Sequence, residues 1–151
     1  MQPDAHAQID VAAPADRVYA LVSDLPGLAT LSEEFQRGSW LGGVTEAKVG
    51  ARFRGANRRG VRWWSTVSTV TDAEPTRFAF DVRSLGLPVS RWQYDIEPTA
   101  TGCRVTESTW DRRPAWYRPI TILATGVSDR STQNQRNIER TLARLKQAAE
   151  A

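Results

Sequence analysis

The chain has 151 residues and a mass of 16.8 kDa, which fits one domain with room for a core and a pocket. With 25% charged and 40% hydrophobic residues, wholesale disorder is excluded. A net charge of +3 is too small for the electrostatic footprint of a nucleic-acid binder, despite a pI near 9.5.

In chain order, Ala7 to Val11 alternates apolar with polar, the pattern of a half-buried strand, and leaves His6 facing solvent. Pro14 then opens a helix whose stripe is Val18, Tyr19, Leu21 and Val22, and Asp24, Pro26 and Gly27 break it. A second short helix is expected over Leu28 to Glu34. Six further strands follow at Phe35 to Leu41, Ala51 to Arg59, Arg62 to Thr71, Arg77 to Arg83, Val89 to Glu97 and Cys103 to Asp111, separated by Gly, Pro and Asp turns. Such short connections predict sequential antiparallel neighbours, since a parallel return needs a crossover of about a dozen residues. From Pro114 to Ala151 the chain reads as one long helix.

Phase along the strands selects the inward residues. Phe78, Phe80 and Val82 share one face, as do Trp92, Tyr94 and Ile96. The strand holding Trp63 and Trp64 is ambiguous, because Val67 supports one phase and Val70 the other. In the last strand Val105 shares its phase with Glu107 and Thr109. On the terminal helix Ile138, Leu142, Leu145 and Ala149 form a sealing stripe, as do Ile120, Leu123 and Val127 nearer its start. Between the two stripes the same face would present Ser131 and Asn134. Buried polar groups without partners cost about 1 to 3 kcal/mol each, so water or a ligand is the expected partner, and with it a partly wet cavity.

Candidate site residues follow from that cavity. Glu107, if inward, has a desolvated carboxylate suited to proton transfer or to binding a cationic or hydroxylated ligand; the alternatives are a structural salt bridge with an arginine, or the opposite phase with Glu107 exposed. Trp64, Phe78, Phe80, Trp92 and Tyr94 form either an aromatic wall for a ligand or plain core. Thr66, Ser68, Tyr94 and Asn134 would hydrogen-bond a ligand, or else one another, the backbone or trapped water. Alternation accounts for Arg52 and Arg54 around an inward Phe53, so the arginines near Gly60 need no phosphate. Arg112 to Arg118 mixes basic and aromatic groups as an interfacial anchor does, or packs as a loop on the helix start.

One histidine and one cysteine exclude a multi-histidine metal site, and no phosphate loop or dinucleotide fingerprint occurs, so no metal or cofactor is expected. The lone Cys103 allows no intrachain disulfide and points to a reducing compartment. The start at Met1 lacks the basic-then-apolar leader pattern, and the longest apolar run, Ile120 to Val127, is far short of the roughly 20 residues that span a bilayer. A cytoplasmic protein without an integral membrane segment is expected.

Several segments in order resemble the START-like helix-grip superfamily, in its polyketide cyclase/dehydrase and lipid-transport branch. They are Ile9-Asp10-Val11 leading into Pro14, Trp40 to Gly43, Val49 to Phe53, Val70 to Pro75 before Phe78-Ala79-Phe80, and Thr141 to Lys146. The resemblance implies an α+β fold over residues 1–151: a seven-stranded antiparallel sheet curved around a long C-terminal helix, with two short helices after the first strand. It also implies an internal apolar cavity, and places Val70 inward with Trp64, Thr66 and Ser68 on the cavity side. Function branches here. The first expectation is a cofactor-independent protein that binds a hydrophobic or aromatic small molecule, lipid or polyketide-like. The alternative is a polyketide aromatase/cyclase or dehydratase that uses Glu107, Tyr94 and pocket hydroxyls. A regulatory role toward a protein partner, and peripheral contact with a membrane, stay open; nucleic acid is not an expected partner.

Overall fold

The computed structural model describes residues 2–151, so Met1, where the leader-peptide reading begins, lies outside them. The chain runs β1 (Ala5–Val11), α1 (Ala15–Ser23), α2 (Leu25–Leu28), β2 (Phe35–Trp40), β3 (Arg52–Arg59), β4 (Arg62–Glu74), β5 (Arg77–Ser84), β6 (Leu87–Thr99) and β7 (Gly102–Asp111). A 3₁₀ turn at Ala115–Tyr117, α3 (Arg118–Thr125) and α4 (Arg130–Glu150) complete it. The strands make one seven-stranded sheet in the order β1-β7-β6-β5-β4-β3-β2, antiparallel throughout. After a run of hairpins the chain closes on itself, with Ile9 opposite Val105 in the β1–β7 pair. Helix α4 lies across β1 and β7, giving the α+β architecture expected from the sequence.

The core sits where the apolar stripe of α4 meets the inward strand faces. Ile138, Leu142 and Leu145 are buried against it, together with Val18 and Val22 of α1 and Val70, Phe78, Ile96 and Val105 of the sheet. The phase of β4 follows Val70, at 1% exposure, while Trp63 is 52% exposed beneath the Arg58 guanidinium. Val67 and Val70 are three residues apart and so face opposite sides by simple alternation, and a bulge between Val70 and Asp72 shifts the register only beyond them.

Two helix assignments and one side-chain orientation differ from the sequence expectation. The second helix is Leu25–Leu28 rather than Leu28 to Glu34, because the apparent breakers are its start signals: the Asp24 carboxylate accepts from the Gly27 N–H at 3.3 Å and Pro26 sits in the first turn. The terminal helix is not continuous. Gly126, at φ 74°, closes α3 with its N–H donating to Ile122 O, and Asp129 restarts helix by accepting from the Thr132 N–H at 3.1 Å. Ser131 is exposed rather than inward, and its hydroxyl donates to Asp4 O at 2.9 Å. The buried polar face of α4 is instead Asn134, Asn137 and Thr141, since the stripe begins a turn later than a continuous helix would place it.

Candidate functional site

Beneath those three residues the side chains do not close. A cavity of about 440 Å³ lies between the sheet and the helices α2, α3 and α4, in the size range of small-molecule pockets. Its middle is apolar and aromatic, formed by Trp64, Phe80, Val82 and Trp92 from successive strands with Phe35 and Phe53 beside them. Gly55 widens it: a Cβ there would sit 3.2 Å from the Phe35 ring and 3.3 Å from Thr66 Oγ1. Leu85, at the tip of the β5–β6 hairpin and 92% exposed, marks the mouth.

The inner end holds a carboxyl and a phenol. Antiparallel pairing sets Tyr94 of β6 opposite Glu107 of β7, and each is 2% exposed. Burial pushes the Glu107 carboxyl from 4.5 up to about 8, with hydrogen bonding from Tyr94 opposing that rise. Burial also raises the Tyr94 phenol well above its ordinary value, and the neighbouring Glu107 acts in the same direction. Near neutral pH the pair is therefore an uncharged acid beside an uncharged phenol, each able to donate or accept a proton. Neither alternative for Glu107 is realised: it points inward, and no arginine bridges it among the described residues.

The mouth is lined by charged pairs. Arg130, at the start of α4, donates to Glu34 Oε1 at 2.6 Å, and Asn137 Nδ2 donates to the same oxygen at 2.6 Å. Burial pulls the Arg130 guanidinium below its ordinary value, against the Glu34 charge, and nearby Arg113 and Arg59 lower it further. The guanidinium lies 5.8 Å from the centre of the Trp64 ring. Arg113 grips Asp111 in a two-pronged contact, Nε to Oδ1 at 2.9 Å and Nη2 to Oδ2 at 2.7 Å. Burial alone would raise Asp111, but those bonds and the Arg113 charge outweigh it and hold the carboxyl low.

Trp64, Thr66, Ser68, Phe80, Trp92, Tyr94, Glu107 and Asn134 all line this cavity. Phe78 does not: it lies in the core at 0% exposure, where Tyr19 of α1 meets its ring edge-on at 6.3 Å. Thr66 is engaged by Asn57 Nδ2 at 3.0 Å. Glu34, Asp111, Arg130 and Asn137 were not singled out from sequence, and Arg113 entered only as part of the Arg112 to Arg118 stretch. Only Asn137 carried a signal, lying three residues beyond Asn134 on one helical face. The Arg112 to Arg118 stretch divides: Trp116 is 61% exposed, while Tyr117 is buried with its hydroxyl donating to Ser84 O at 3.3 Å.

No helix among the described residues is long and apolar enough to cross a membrane. A family model for polyketide cyclase/dehydrase and lipid transport matches residues 2–150. No curated protein matches the chain. Among solved structures, one domain's worth of the di-domain ARO/CYC StfQ from the steffimycin biosynthetic pathway superposes with a TM-score of 0.72 at 16% identity, covering 96% of this chain and 49% of that one. A Polyketide_cyc-like protein of Corynebacterium glutamicum gives 0.61 at 29% identity over 95% of this chain and 88% of that one. A Deinococcus radiodurans protein gives 0.68 at 18% identity over 97% and 96%.

Proposed function

We propose that this chain, which belongs to the polyketide cyclase/dehydrase and lipid transport family, binds a hydrophobic or aromatic small molecule in the cavity beneath α4. The observation that carries this reading is the cavity itself, about 440 Å³ with aromatic walls and a few convergent polar groups. Membership of the family supports a small hydrophobic guest. Trp64, Phe80 and Trp92 would provide the contact surface; Ser68, Tyr94, Glu107 and Asn134 would orient the guest. Native mass spectrometry of the protein purified from its own host tests this: a mass excess that disappears on denaturation is expected. An empty protein that also fails to bind a broad panel of lipids and aromatics would overturn it.

One observation favours a catalytic version of the same site. Glu107, with a pKa of about 8 beside the Tyr94 phenol, is poised for general acid–base work near neutral pH. In that version the cavity folds a reactive chain and the pair transfers protons to and from it, without metal or cofactor. StfQ, an ARO/CYC from the steffimycin biosynthetic pathway, lends the idea a precedent in shape alone. Glu107→Gln and Tyr94→Phe should then abolish turnover of a cyclisable substrate while leaving its binding within a few-fold, and unchanged turnover in both would remove the catalytic version.

A further inference from the structure

Among the described residues, two buried side-chain oxygens lack a hydrogen-bond partner, Glu34 Oε2 and Glu107 Oε1. Both residues line the same cavity from different elements, Glu34 just before β2 with its side chain 12% exposed and Glu107 on β7 at 2%, with Trp64, Phe80 and Trp92 also in the wall. The coincidence is informative, because folded proteins satisfy nearly all buried polar atoms and each exception needs an account. Glu34 spends its other oxygen on Arg130 and Asn137, at 2.6 Å each, which fixes the carboxylate in place and leaves Oε2 able only to accept. Glu107, next to the Tyr94 hydroxyl across the β6–β7 pair, can meet a hydroxyl or a carbonyl.

Resting on the small-molecule reading above, we propose that the guest is two-ended: a mostly apolar body carrying a hydroxyl or N–H donor that meets Glu34 at the mouth, and a hydroxyl or carbonyl that meets Glu107 and Tyr94 inside. A single-headed amphiphile, such as a simple fatty alcohol, satisfies one oxygen and strands the other. A hydrocarbon strands both. Selectivity for hydroxylated or keto-bearing molecules over plain lipids follows, because a site built to hydrogen-bond a group rejects the analogue that lacks it.

Straight-chain α,ω-diols of increasing length, the matching primary alcohols and the diols' mono-methyl ethers read this out by calorimetry. The diols should show an optimum chain length at which they bind about tenfold tighter than the alcohol of equal length, as expected for one added hydrogen bond to a carboxylate. Glu34→Gln sets an amide N–H₂ where an acceptor stood. The variant should lose the diol preference and take the methyl ether at least as well. Glu107→Leu should remove the length optimum, and retained near-ultraviolet circular dichroism shows that either variant is folded. Equal binding of diols and alcohols at every length would overturn the two-ended guest while leaving a hydrophobic one standing. Failure of every probe, a hydrocarbon included, would remove the small-molecule reading and this inference with it.

Discussion

Along helix α4, two sets of buried residues face the sheet and behave in opposite ways. Ile138, Leu142, Leu145 and Ala149 are at most 3% exposed and pack into a dry core against β1, β7 and α1. Asn134, Asn137 and Thr141 are nearly as buried, at 5 to 8% exposure, yet line a cavity. Both sets share one helix and are hidden from bulk solvent to nearly the same degree, so burial alone does not separate core from site. The chemistry of the buried face does: where side chains turn polar, the cavity wall they share holds Glu107, Tyr94 and Trp92. Polar residues at those positions forgo the roughly 1.5 to 3 kcal/mol that a buried aliphatic side chain contributes, which is the cost of keeping the space open.

The largest expected effect separates the two regions by pH. Below 4.5 Glu107 is protonated in both native and unfolded chains; between 4.5 and about 8 the native state keeps a proton that the unfolded chain releases. Stability present at low pH is therefore lost progressively up to about pH 8, on the order of 5 kcal/mol from this group. Glu107→Gln should flatten that slope in urea titrations run across the range, and an unaltered slope would mean that the inner end is wetter than described. Next, Leu142→Ala in the dry set should cost about 2 to 5 kcal/mol with guest affinity changed little at temperatures where the protein stays folded. Asn134→Leu inverts the pattern: chemical denaturation should move by less than about 1 kcal/mol, while binding of a hydrophobic probe weakens about tenfold as the space fills and a polar contact goes. The smallest effect is expected at the mouth. Leu85 holds a left-handed backbone at φ 53°, so Leu85→Asn should raise stability by up to about 1 kcal/mol, measured as a rise in Tm.

How much of this the sequence carried depends on the range of the interaction. Alternation at Phe78, Phe80 and Val82 and at Trp92, Tyr94 and Ile96 gave the inward faces, with Phe78 then lying in the core, where Tyr19 packs on it from another element. The four-three-four spacing from Ile138 to Ala149 gave the seal, and the phase of Val105 gave Glu107. Local signals with two meanings misled: Pro26 and Gly27 read as breakers but form a helix start, and the apolar spacing of Ile120, Leu123 and Val127 ran straight through the left-handed turn at Gly126. The mouth was illegible for a different reason. Glu34 and Arg130 meet across 96 positions of chain, and no spacing rule reaches that far.

The proposed guest meets the polar set of residues under α4 and not the apolar set. Intermolecular nuclear Overhauser effects from a bound medium-chain diol measure this directly. Saturable contacts from the probe to Phe80, Trp92 and Asn134 are expected, and none to Leu145 or Ala149. Contacts confined to the outer surface, or none that saturate, would contradict it.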